Sequence, residues 1–247
     1  AENQTSIGAV TASDEDDTNL SYSLSGTDSN LINIDSSGIL SFISAPNYET
    51  KSSYSITVSV TDGTNTATQS ITINISDEND APVITSSSSY NADENQTAVG
   101  SVTATDEDND TLSYSLSGTN ASALNINDSG VITFNADPNY EAQNTYSITV
   151  TVSDGSTNVT QSVTINIGNI NESPVITSSA SLTFNNNDDN LLVGNIEVTD
   201  PENSDLIYSL SGDDASALSI NSLGELSFNG TPDKTNYTVI VSVSDGV

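Results

Sequence analysis

The sequence predicts an all-β protein built from tandem β-sandwiches, and two observations carry this prediction. Apolar and polar residues alternate at period two in segments such as 20–24, 54–60 and 163–167, as is typical of strands with one buried face. The chain of 247 residues also repeats itself, because the Asp-Glu-Asp of residues 14–16 returns 92 positions later at residues 106–108. A repeat of this length can bury its own core, so we expect separate domains joined end to end.

Each repeat is predicted to contain about seven short strands, since turn signals recur about every 8–12 residues. Asp62-Gly63 and Asp154-Gly155 each follow one strand and precede another, as expected of hairpin loops. Ser, Thr and Asn occupy the outward strand positions, and no segment has helical periodicity. This pattern predicts sandwiches of immunoglobulin-like size without helices.

Three repeats account for the chain, at residues 1–79, 80–171 and 172–247. The third matches the second with a shift of 94 early on and of 91 later, so a deletion of three residues lies between. The deletion removes the Pro-Asn-Tyr-Glu segment that residues 46–49 and 138–141 share. Because Ala1 already lies inside a repeat and Val247 precedes a final strand, we expect repeats one and three to be truncated parts of a longer protein.

The aromatic residues follow the repeat. Tyr90 is paired with Phe184 at a shift of 94, and every other aromatic residue also has a mate in another repeat. Aromatic side chains that keep the repeat phase indicate packing between strands rather than one special pocket. Lys51 and Lys234 are the only basic residues; they do not share a repeat phase in this alignment and are predicted to be isolated surface residues.

The composition excludes several functions. With 34 Asp and Glu against two Lys the net charge is −32, so nucleic acid is not an expected partner and an anionic membrane would repel the chain. No apolar run is long enough to insert into a membrane. The chain has no Cys and no His, which excludes disulfides, Ser-His-Asp and Cys-His catalysis and an ordinary zinc site. Carboxylate pairs could hydrolyse glycosides, but here they recur in every repeat, so we expect no enzyme.

The acidic residues instead predict a cation between repeats. Clustered carboxylates repel each other unless a cation lies between them. The segment Asp77-Glu78-Asn79-Asp80, which joins repeats one and two, offers four oxygen-donor side chains in succession before Pro82. Calcium takes about 6–8 oxygen ligands of this kind, whereas a flexible linker would be rich in Gly and Ser. The sequence therefore predicts a joint that a divalent cation stiffens.

Five motifs, in this order and near these spacings, resemble the cadherin repeat family over the whole chain, in the form of bacterial cadherin-like tandem repeats. They are the Glu of Ala-Glu-Asn-Gln-Thr at residues 1–5, Pro-Asn-Tyr-Glu at 46–49, Val-Ser-Val-Thr-Asp-Gly at 58–63, Asp-Glu-Asn-Asp-Ala-Pro at 77–82 and Asp-x-Asp at 106–108. The resemblance implies cadherin-like Greek-key sandwiches of seven strands, with calcium ions, commonly three, at each junction.

The resemblance also implies the calcium ligands. The positions that match at the first junction are Glu2, Asn47, Glu49, Asp77, Asn79, Asp80, Asp106, Asp108 and Asp154. Those at the second junction are Glu94, Asn139, Glu141, Asn169, Asn171, Glu172, Asp200, Glu202 and Asp245. Because the second linker carries fewer acids, and Glu202 replaces the second Asp of Asp-x-Asp, we expect a weaker site or fewer ions there.

Two further groups of acids have no complete junction. Asp14, Asp16 and Asp62 would serve a joint with an upstream repeat and are predicted to be half-sites of low affinity. Asp188 and Asp189 only partly replace the Glu-Asn found near the start of the earlier repeats.

The predicted function follows from these calcium sites. We expect a stretch of a large adhesin, secreted or held at the cell surface, in which calcium makes the row of repeats rigid and neighbouring repeats are each other's partners. A cell-surface protein or a polysaccharide could be a further partner. The alternative is a carbohydrate-binding module of a secreted polysaccharide-active protein, which requires exposed aromatic residues such as Tyr48, Tyr90 or Tyr140 aligned on one face.

Overall fold

The structure, a computed structural model, describes residues 1–16, 19–185 and 191–247. Among its described residues, repeat one contains six strands in two three-stranded sheets, with the orders β1-β4-β3 and β2-β5-β6. The strands are β1 (Ser6–Ala9), β2 (Ser21–Ser25), β3 (Ile32–Ile34), β4 (Ile39–Phe42), β5 (Ser53–Thr61) and β6 (Thr66–Asn74).

Repeat two contains nine strands. Its strands are β7 (Val83–Ile84), β8 (Ser89–Asp93), β9 (Ala98–Ser101), β10 (Ala104–Thr105), β11 (Ser113–Ser117), β12 (Leu124–Ile126), β13 (Val131–Phe134), β14 (Thr145–Ser153) and β15 (Asn158–Gly168). They form one sheet in the order β11-β14-β15-β8, a second in the order β12-β13-β9, and the pair β10-β7.

The nine strand segments of repeat two exceed the roughly seven strands that the sequence predicts, because the first strand changes sheets. β7 pairs antiparallel with β10, whereas β8 pairs in parallel with β15. The chain therefore crosses from one layer to the other near Ser87, and one predicted strand becomes two short ones. The second predicted strand is likewise divided, into β9 and β10.

Repeat three contains, among its described residues, seven strands that follow the order of their counterparts in repeat two. Its strands are β16 (Val175–Ile176), β17 (Leu192–Asn195), β18 (Val198–Thr199), β19 (Ile207–Ser211), β20 (Leu218–Ile220), β21 (Glu225–Phe228) and β22 (Ile240–Ser244). Three short 3-10 helices, which the sequence analysis did not predict, occupy corresponding positions at Ser29–Leu31, Ala121–Ala123 and Ala215–Ala217. A single turn of this kind has too few residues to leave a helical period in the sequence.

Alternating side chains build the core of each sandwich. In β14, Tyr146, Ile148, Val150 and Val152 are buried and alternate with more exposed Ser and Thr. The ring of Phe134 packs edge-on against Tyr146 with 4.9 Å between centroids. Burying one such aliphatic or aromatic side chain stabilises a fold by about 1.5–3 kcal/mol, so the apolar face fixes the register of each long strand.

The two lysines are not isolated surface residues, and that prediction is wrong. Lys51 pairs with Asp28 and lies 4.9 Å from the ring centroid of Tyr54. Lys234 likewise pairs with Asp214, at 2.5 Å, and lies 5.7 Å from the ring centroid of Tyr237. Each aspartate also accepts a hydrogen bond from a backbone N–H, that of Ser55 in β5 or that of Thr238 just before β22.

Lys51 and Lys234 occupy equivalent positions in their repeats. With the three-residue deletion included, Lys51 aligns with Gln143 of repeat two and then with Lys234. Asn120 stands in repeat two where Asp28 stands in repeat one, and its Oδ1 accepts the N–H of Ser147 at 2.8 Å. An ion pair in repeats one and three is thus replaced by two neutral amide residues in repeat two.

The pairing of Tyr90 with Phe184 is also wrong. The Tyr90 ring covers Gly100, and Leu182 covers the corresponding Gly194. Phe184 instead packs against Phe228 with 5.0 Å between ring centroids. The start of repeat three therefore follows repeat two at a shift of 92, which puts Leu182 in place of Tyr90, and the shift of 94 begins after Phe184.

Two glycines of repeat two provide a matched test of backbone geometry. Gly130 and Gly155 both have positive φ, at +75° and +98°. A Cβ on Gly130 would lie 2.1 Å from the carbonyl oxygen of Val102, whereas one on Gly155 meets nothing within 4 Å. We expect Gly155→Ala to cost about 1–2 kcal/mol of strain. Gly130→Ala should cost about 1–3 kcal/mol more, because the neighbouring backbone must move.

Denaturant unfolding, with hydrogen exchange of repeat-two amides, would measure this difference. Equal losses of stability in the two variants would contradict the contact between Gly130 and Val102.

Candidate metal centres

A buried glutamate ties the start of repeat one to the first junction. Glu2 is only 2% exposed. Its Oε2 accepts the N–H of Tyr48 at 2.7 Å, and its Oε1 accepts the N–H of Glu78 at 2.9 Å. The next residue, Asn3, has φ of 60°, which turns the chain sharply after the carboxylate. One side chain thus fixes the Pro-Asn-Tyr-Glu segment and the linker relative to each other.

Two groups of carboxylates lie at the first junction, and Glu2 belongs to one of them. Oxygens of Glu2, Glu49 and Asp77 lie within 4.8 Å of one another, as do oxygens of Glu49, Asp80 and Glu107. Glu49 belongs to both groups and lies between the two repeats. Because Glu49 belongs to both groups, the acids form one continuous cluster across the joint.

Hydrogen bonds from the linker reach into repeat two. The N–H of Asp80 donates to Oδ2 of Asp108 at 2.8 Å. The side-chain amide of Asn79 donates to Oδ2 of Asp154 at 3.0 Å. Both contacts connect residues that the sequence analysis assigned to the same junction. The linker is therefore held on repeat two by the acids that are predicted to bind calcium.

A third group lies within repeat two. Oxygens of Asp106, Asp108 and Asp110 lie within 4.8 Å of one another. Asp106 Oδ2 and Asp108 Oδ1 are buried and have no hydrogen-bond partner among the described residues. A buried carboxylate oxygen without a partner costs free energy, so this geometry fits a site that a cation completes.

Two of these acids are not among the ligands that the sequence predicts. Glu107 is the middle residue of Asp-x-Asp, where only the outer positions were assigned, yet its Oε2 accepts a 2.6 Å hydrogen bond from the side chain of Asn47. Asp110 was missed because repeat one has Thr18 at the aligned position. Repetition alone gives no signal for Asp110, and the position of Glu107 depends on the curl of the loop.

The crowding of carboxylates raises their affinity for protons. Desolvation, and then the charges of Asp108 and Glu2, raise the pKa of Asp77 above its usual value. Desolvation and the charge of Glu2 also raise the pKa of Asp80. For Glu49 the bond from its own backbone N–H lowers the pKa, but desolvation and neighbouring charges outweigh it, and the net shift is upward. Keeping these three carboxylates charged at the same time therefore costs free energy.

Asp154 has the opposite environment. The Thr157 hydroxyl and the Thr157 N–H, followed by the Asn79 amide and the Ser156 N–H, hold the pKa of Asp154 far below its usual value despite burial. Asp154 is therefore a fixed negative charge at the junction.

The second junction gathers four glutamates. Oxygens of Glu94, Glu141, Glu172 and Glu202 lie within 4.8 Å of one another. Glu172 Oε2 and Glu202 Oε1 are buried and have no hydrogen-bond partner within the described part of the chain. Glu202 Oε2 accepts the N–H of Glu172 at 3.3 Å, as Asp108 does from Asp80 in the first junction.

Glu94 holds this joint together as Glu2 holds the first. It is 2% exposed, and its two oxygens accept the N–H groups of Tyr140, at 2.8 Å, and Ile170, at 2.7 Å. The bond from its own backbone N–H lowers the pKa of Glu141, but desolvation and then the charges of Glu94, Glu202 and Glu172 give a net rise.

The other acids and amides predicted for the second junction differ in placement. Asp200 Oδ1 is buried and has no partner among the described residues. The Asn171 amide donates to Asp245 at 2.7 Å and lowers the pKa of that carboxyl. Asn139 Oδ1 accepts the N–H of Ala142, and Asn169 is exposed. The structure thus brings Asp245 to the linker through Asn171, while Asn169 is exposed.

The acids assigned to an upstream joint form no group of three among the described residues. Asp14 and Asp16 are exposed, and Asp14 Oδ1 accepts the N–H of Asp16 at 2.9 Å. Asp62 Oδ1 accepts the N–H groups of Thr64 and Asn65 in its hairpin loop. Asp188 and Asp189 lie outside the described residues.

Sequence models of two related families match most of the chain. The cadherin domain matches residues 1–76, and the bacterial cadherin-like domain matches residues 79–169. The chain belongs to the cadherin repeat family. Cadherin repeats are typically structural rather than catalytic units. The sequence predicts this family and its all-β sandwich fold, and both predictions are confirmed.

Solved structures of cadherin repeats have the same fold. The EC22-24 fragment of mouse cadherin-23 matches with a TM-score of 0.63 and 22% identity, over 99% of this chain and 88% of that fragment. The EC21-23 fragment of human CDH23 matches with a TM-score of 0.64 and 20% identity, over 95% and 86% of the two chains. These matches extend the fold to repeat three.

One curated relative is a bacterial enzyme. Chitinase A of Pseudoalteromonas piscicida is 32% identical over 169 residues, which is 68% of this cadherin-like chain and 20% of the chitinase. The chain therefore spans about a fifth of that protein.

Within the described residues, no helix is both long enough and apolar enough to cross a membrane.

The raised carboxylate pKa values predict a linked response to pH. We expect Asp77→Asn to lower the pKa of Glu49 in calcium-free protein, because the charge of Asp77 contributes to raising it. A group whose folded pKa exceeds its unfolded value binds protons more readily in the folded state. The contribution of these acids to the free energy of unfolding should therefore rise as pH falls from neutrality through their folded pKa.

Carbon NMR titration of the side-chain carboxyls would measure each pKa. The same titration of Asp154, which should keep its low pKa in the Asp77→Asn variant, is the internal control. An unchanged Glu49 pKa in this variant would contradict the proximity of the two side chains.

Proposed function

We propose that this chain is a calcium-binding spacer in which ions at the joints hold successive cadherin-like repeats in one straight arrangement. The observation that supports it best is the set of buried carboxylate oxygens in the predicted ligands of both junctions that have no hydrogen-bond partner among the described residues. A proton could neutralise single groups, but neutral pH favours a divalent cation shared by several carboxylates.

The donor set fits calcium. Calcium is a hard cation with flexible coordination, and it prefers carboxylate, amide and carbonyl oxygens. Most of the polar side chains at both junctions carry oxygens of these kinds. At the first junction the proposed ligands are those of the sequence analysis together with Glu107 and Asp110. At the second junction Glu94, Glu141, Glu172 and Glu202 form the centre, with Asp200 and Asp245 beside them. When bound, calcium neutralises the clustered negative charge.

The protein supplies the geometry before the ion binds. Glu2 and Glu94 each accept two backbone N–H groups, which hold the repeat start, the Pro-Asn-Tyr-Glu segment and the linker together. Repulsion among the remaining acids favours bent or separated repeats. A ligand that binds the closed joint more tightly than the open one shifts the population towards it, so calcium stiffens the chain.

The setting of this spacer is extracellular in our proposal. Free calcium at high concentration is available outside the cell, and carboxylate-rich sites of this kind suit it. A row of stiff repeats would hold a distal adhesive domain away from a cell surface, with neighbouring repeats and calcium as the direct partners of this segment.

A polysaccharide-binding role is the second candidate, favoured by the similarity to Chitinase A. Tyr48, Tyr90 and Tyr140, which this role would require to be exposed, are instead partly buried against the cores. Retention of the chain on insoluble chitin tests the role directly; loss of the chain in the first wash would remove this candidate.

The first junction can be tested with a pair of equivalent aspartates. Asp108 lies at the junction, and Asp16 is its counterpart in repeat one, where it belongs to no group of three acids among the described residues. We expect Asp108→Asn to weaken calcium binding by about tenfold or more, since losing a direct ligand should cost at least as much as losing a supporting residue. Asp16→Asn should leave the tightest sites unchanged.

Calorimetric titration of the 247-residue chain would give the affinity and number of ions for each variant. Equal loss in the two variants would indicate nonspecific attraction to a chain of −32 charge rather than a built site.

Calcium should also change the shape of the chain. We expect small-angle scattering to give a larger and better-defined maximum dimension with calcium than with chelator, because the closed joints admit fewer orientations. The Asp108→Asn variant should need more calcium to reach the same length. A maximum dimension that chelation leaves unaltered would rule out stiffening while leaving calcium binding possible.

A further inference from the structure

Two equivalent asparagines lie directly after a strand in repeats two and three. Asn135 follows β13 and Asn229 follows β21, and both are exposed to solvent. The backbone N–H of each donates to the carbonyl oxygen of an alanine that ends the 3-10 helix of its repeat, Ala123 or Ala217, at 2.9 Å in both cases. The two asparagines therefore have the same backbone setting and form a matched pair.

The residue that follows each asparagine differs between the two repeats. Ala136 follows Asn135, whereas Gly230 follows Asn229 and completes the only Asn-Gly pair in the sequence. A glycine has no Cβ that hinders the approach of its own backbone nitrogen to the preceding side chain. The N–H of Gly230 donates no hydrogen bond among the described residues. This nitrogen is therefore free to react with the Asn229 side chain.

We propose that Asn229-Gly230 is a site of spontaneous deamidation that permanently opens one loop of repeat three. The Gly230 nitrogen gives its proton to hydroxide and attacks Cγ of Asn229, forming a five-membered succinimide. The bond from Cγ to the side-chain nitrogen breaks, and this nitrogen takes a proton from water and leaves as ammonia. Water then opens the ring at either carbonyl, giving aspartate or isoaspartate. The reaction needs only water, and the proposal does not depend on calcium binding.

The consequence for the fold follows from the hydrogen bonds of the amide that is lost. Nδ2 of Asn229 donates to the carbonyl oxygens of Ser216, at 3.1 Å, and Leu218, at 3.0 Å. Both bonds must be released before ammonia leaves, so the reaction proceeds from molecules in which this loop has opened locally. A carboxylate has no donor for the two carbonyl oxygens and is repelled by them, so the product cannot close the loop again.

The three Asp-Gly pairs are poorer candidates for the same ring closure. They begin at Asp62, Asp154 and Asp245. Near neutral pH their side chains are carboxylates, and an anion resists attack by a nucleophile. Ring closure and reopening at an aspartate also leaves the mass of the chain unchanged, whereas deamidation replaces an amide by an acid. Mass spectrometry therefore distinguishes the proposed site from these pairs.

Peptide mapping of the complete 247-residue chain tests the site. After incubation in warm, mildly alkaline buffer and digestion after aromatic residues, we expect the peptide with Asn229 to gain the mass difference between an amide and an acid. This conversion should be several-fold faster than that of the peptide with Asn135, and enzymatic methylation should detect isoaspartate. Equal conversion rates at the two asparagines would overturn the proposal.

Exchanging the following residues tests the role of glycine. A Cβ added to Gly230 meets nothing within 4 Å, so Gly230→Ala should fold normally and slow conversion of Asn229 several-fold. Ala136→Gly gives repeat two the same Asn-Gly pair and should speed conversion of Asn135 several-fold. A Gly230→Ala chain that converts as fast as the parent chain would overturn the assigned chemistry.

Hydrogen exchange tests whether the loop stays open. In the deamidated chain, separated by its additional negative charge, we expect amides of β20 to exchange several-fold faster than in the parent chain. Asn229→Asp, which introduces the carboxylate without lengthening the main chain, should have the same effect. Amides of β12, the counterpart of β20 in repeat two, are the internal control. Exchange of β20 at the parent rate in either sample would overturn the permanent opening.

Discussion

The architecture of this protein depends on buried carboxylates that hold backbone N–H groups at the ends of the repeats. Glu2 and Glu94 are almost inaccessible to water, and each accepts two N–H groups from segments far apart in sequence. Hydrogen bonds to a charged acceptor are stronger than neutral ones, so these contacts set the position of the linker. They also bring further acids together, and that crowding requires compensation.

The two junctions solve this problem with different side chains. Asp80 and Asp108 meet through a backbone N–H at the first junction, and Glu172 and Glu202 repeat the contact at the second. The added methylene on both sides keeps the contact while drawing four glutamates into one group. A linker that looks depleted when its acids are counted is therefore a concentrated negative site in three dimensions. The prediction of fewer or weaker ions there stays a prediction.

Between the junctions, the strands carry few charged side chains. The exposed strand positions carry Ser and Thr, and the two lysines are each paired with an aspartate beside an aromatic ring. In repeat two the aligned residues are Gln143 and Asn120, so both charges are absent together. Such paired replacement avoids leaving a single charge at a partly buried position, which would cost more than either complete arrangement.

The sequence by itself determined the all-β class, the three-fold repetition and the concentration of acids near the linkers, because alternation and repetition are local properties of the chain. It also pointed to most members of the carboxylate clusters, such as Glu49 and Asp80. Only the tertiary structure decided that Glu107 and Asp110 join them, that Leu182 replaces Tyr90, and that Lys51 and Lys234 are equivalent. These facts depend on the curl of loops, on insertions and deletions between strands, and on how far a side chain reaches across a joint.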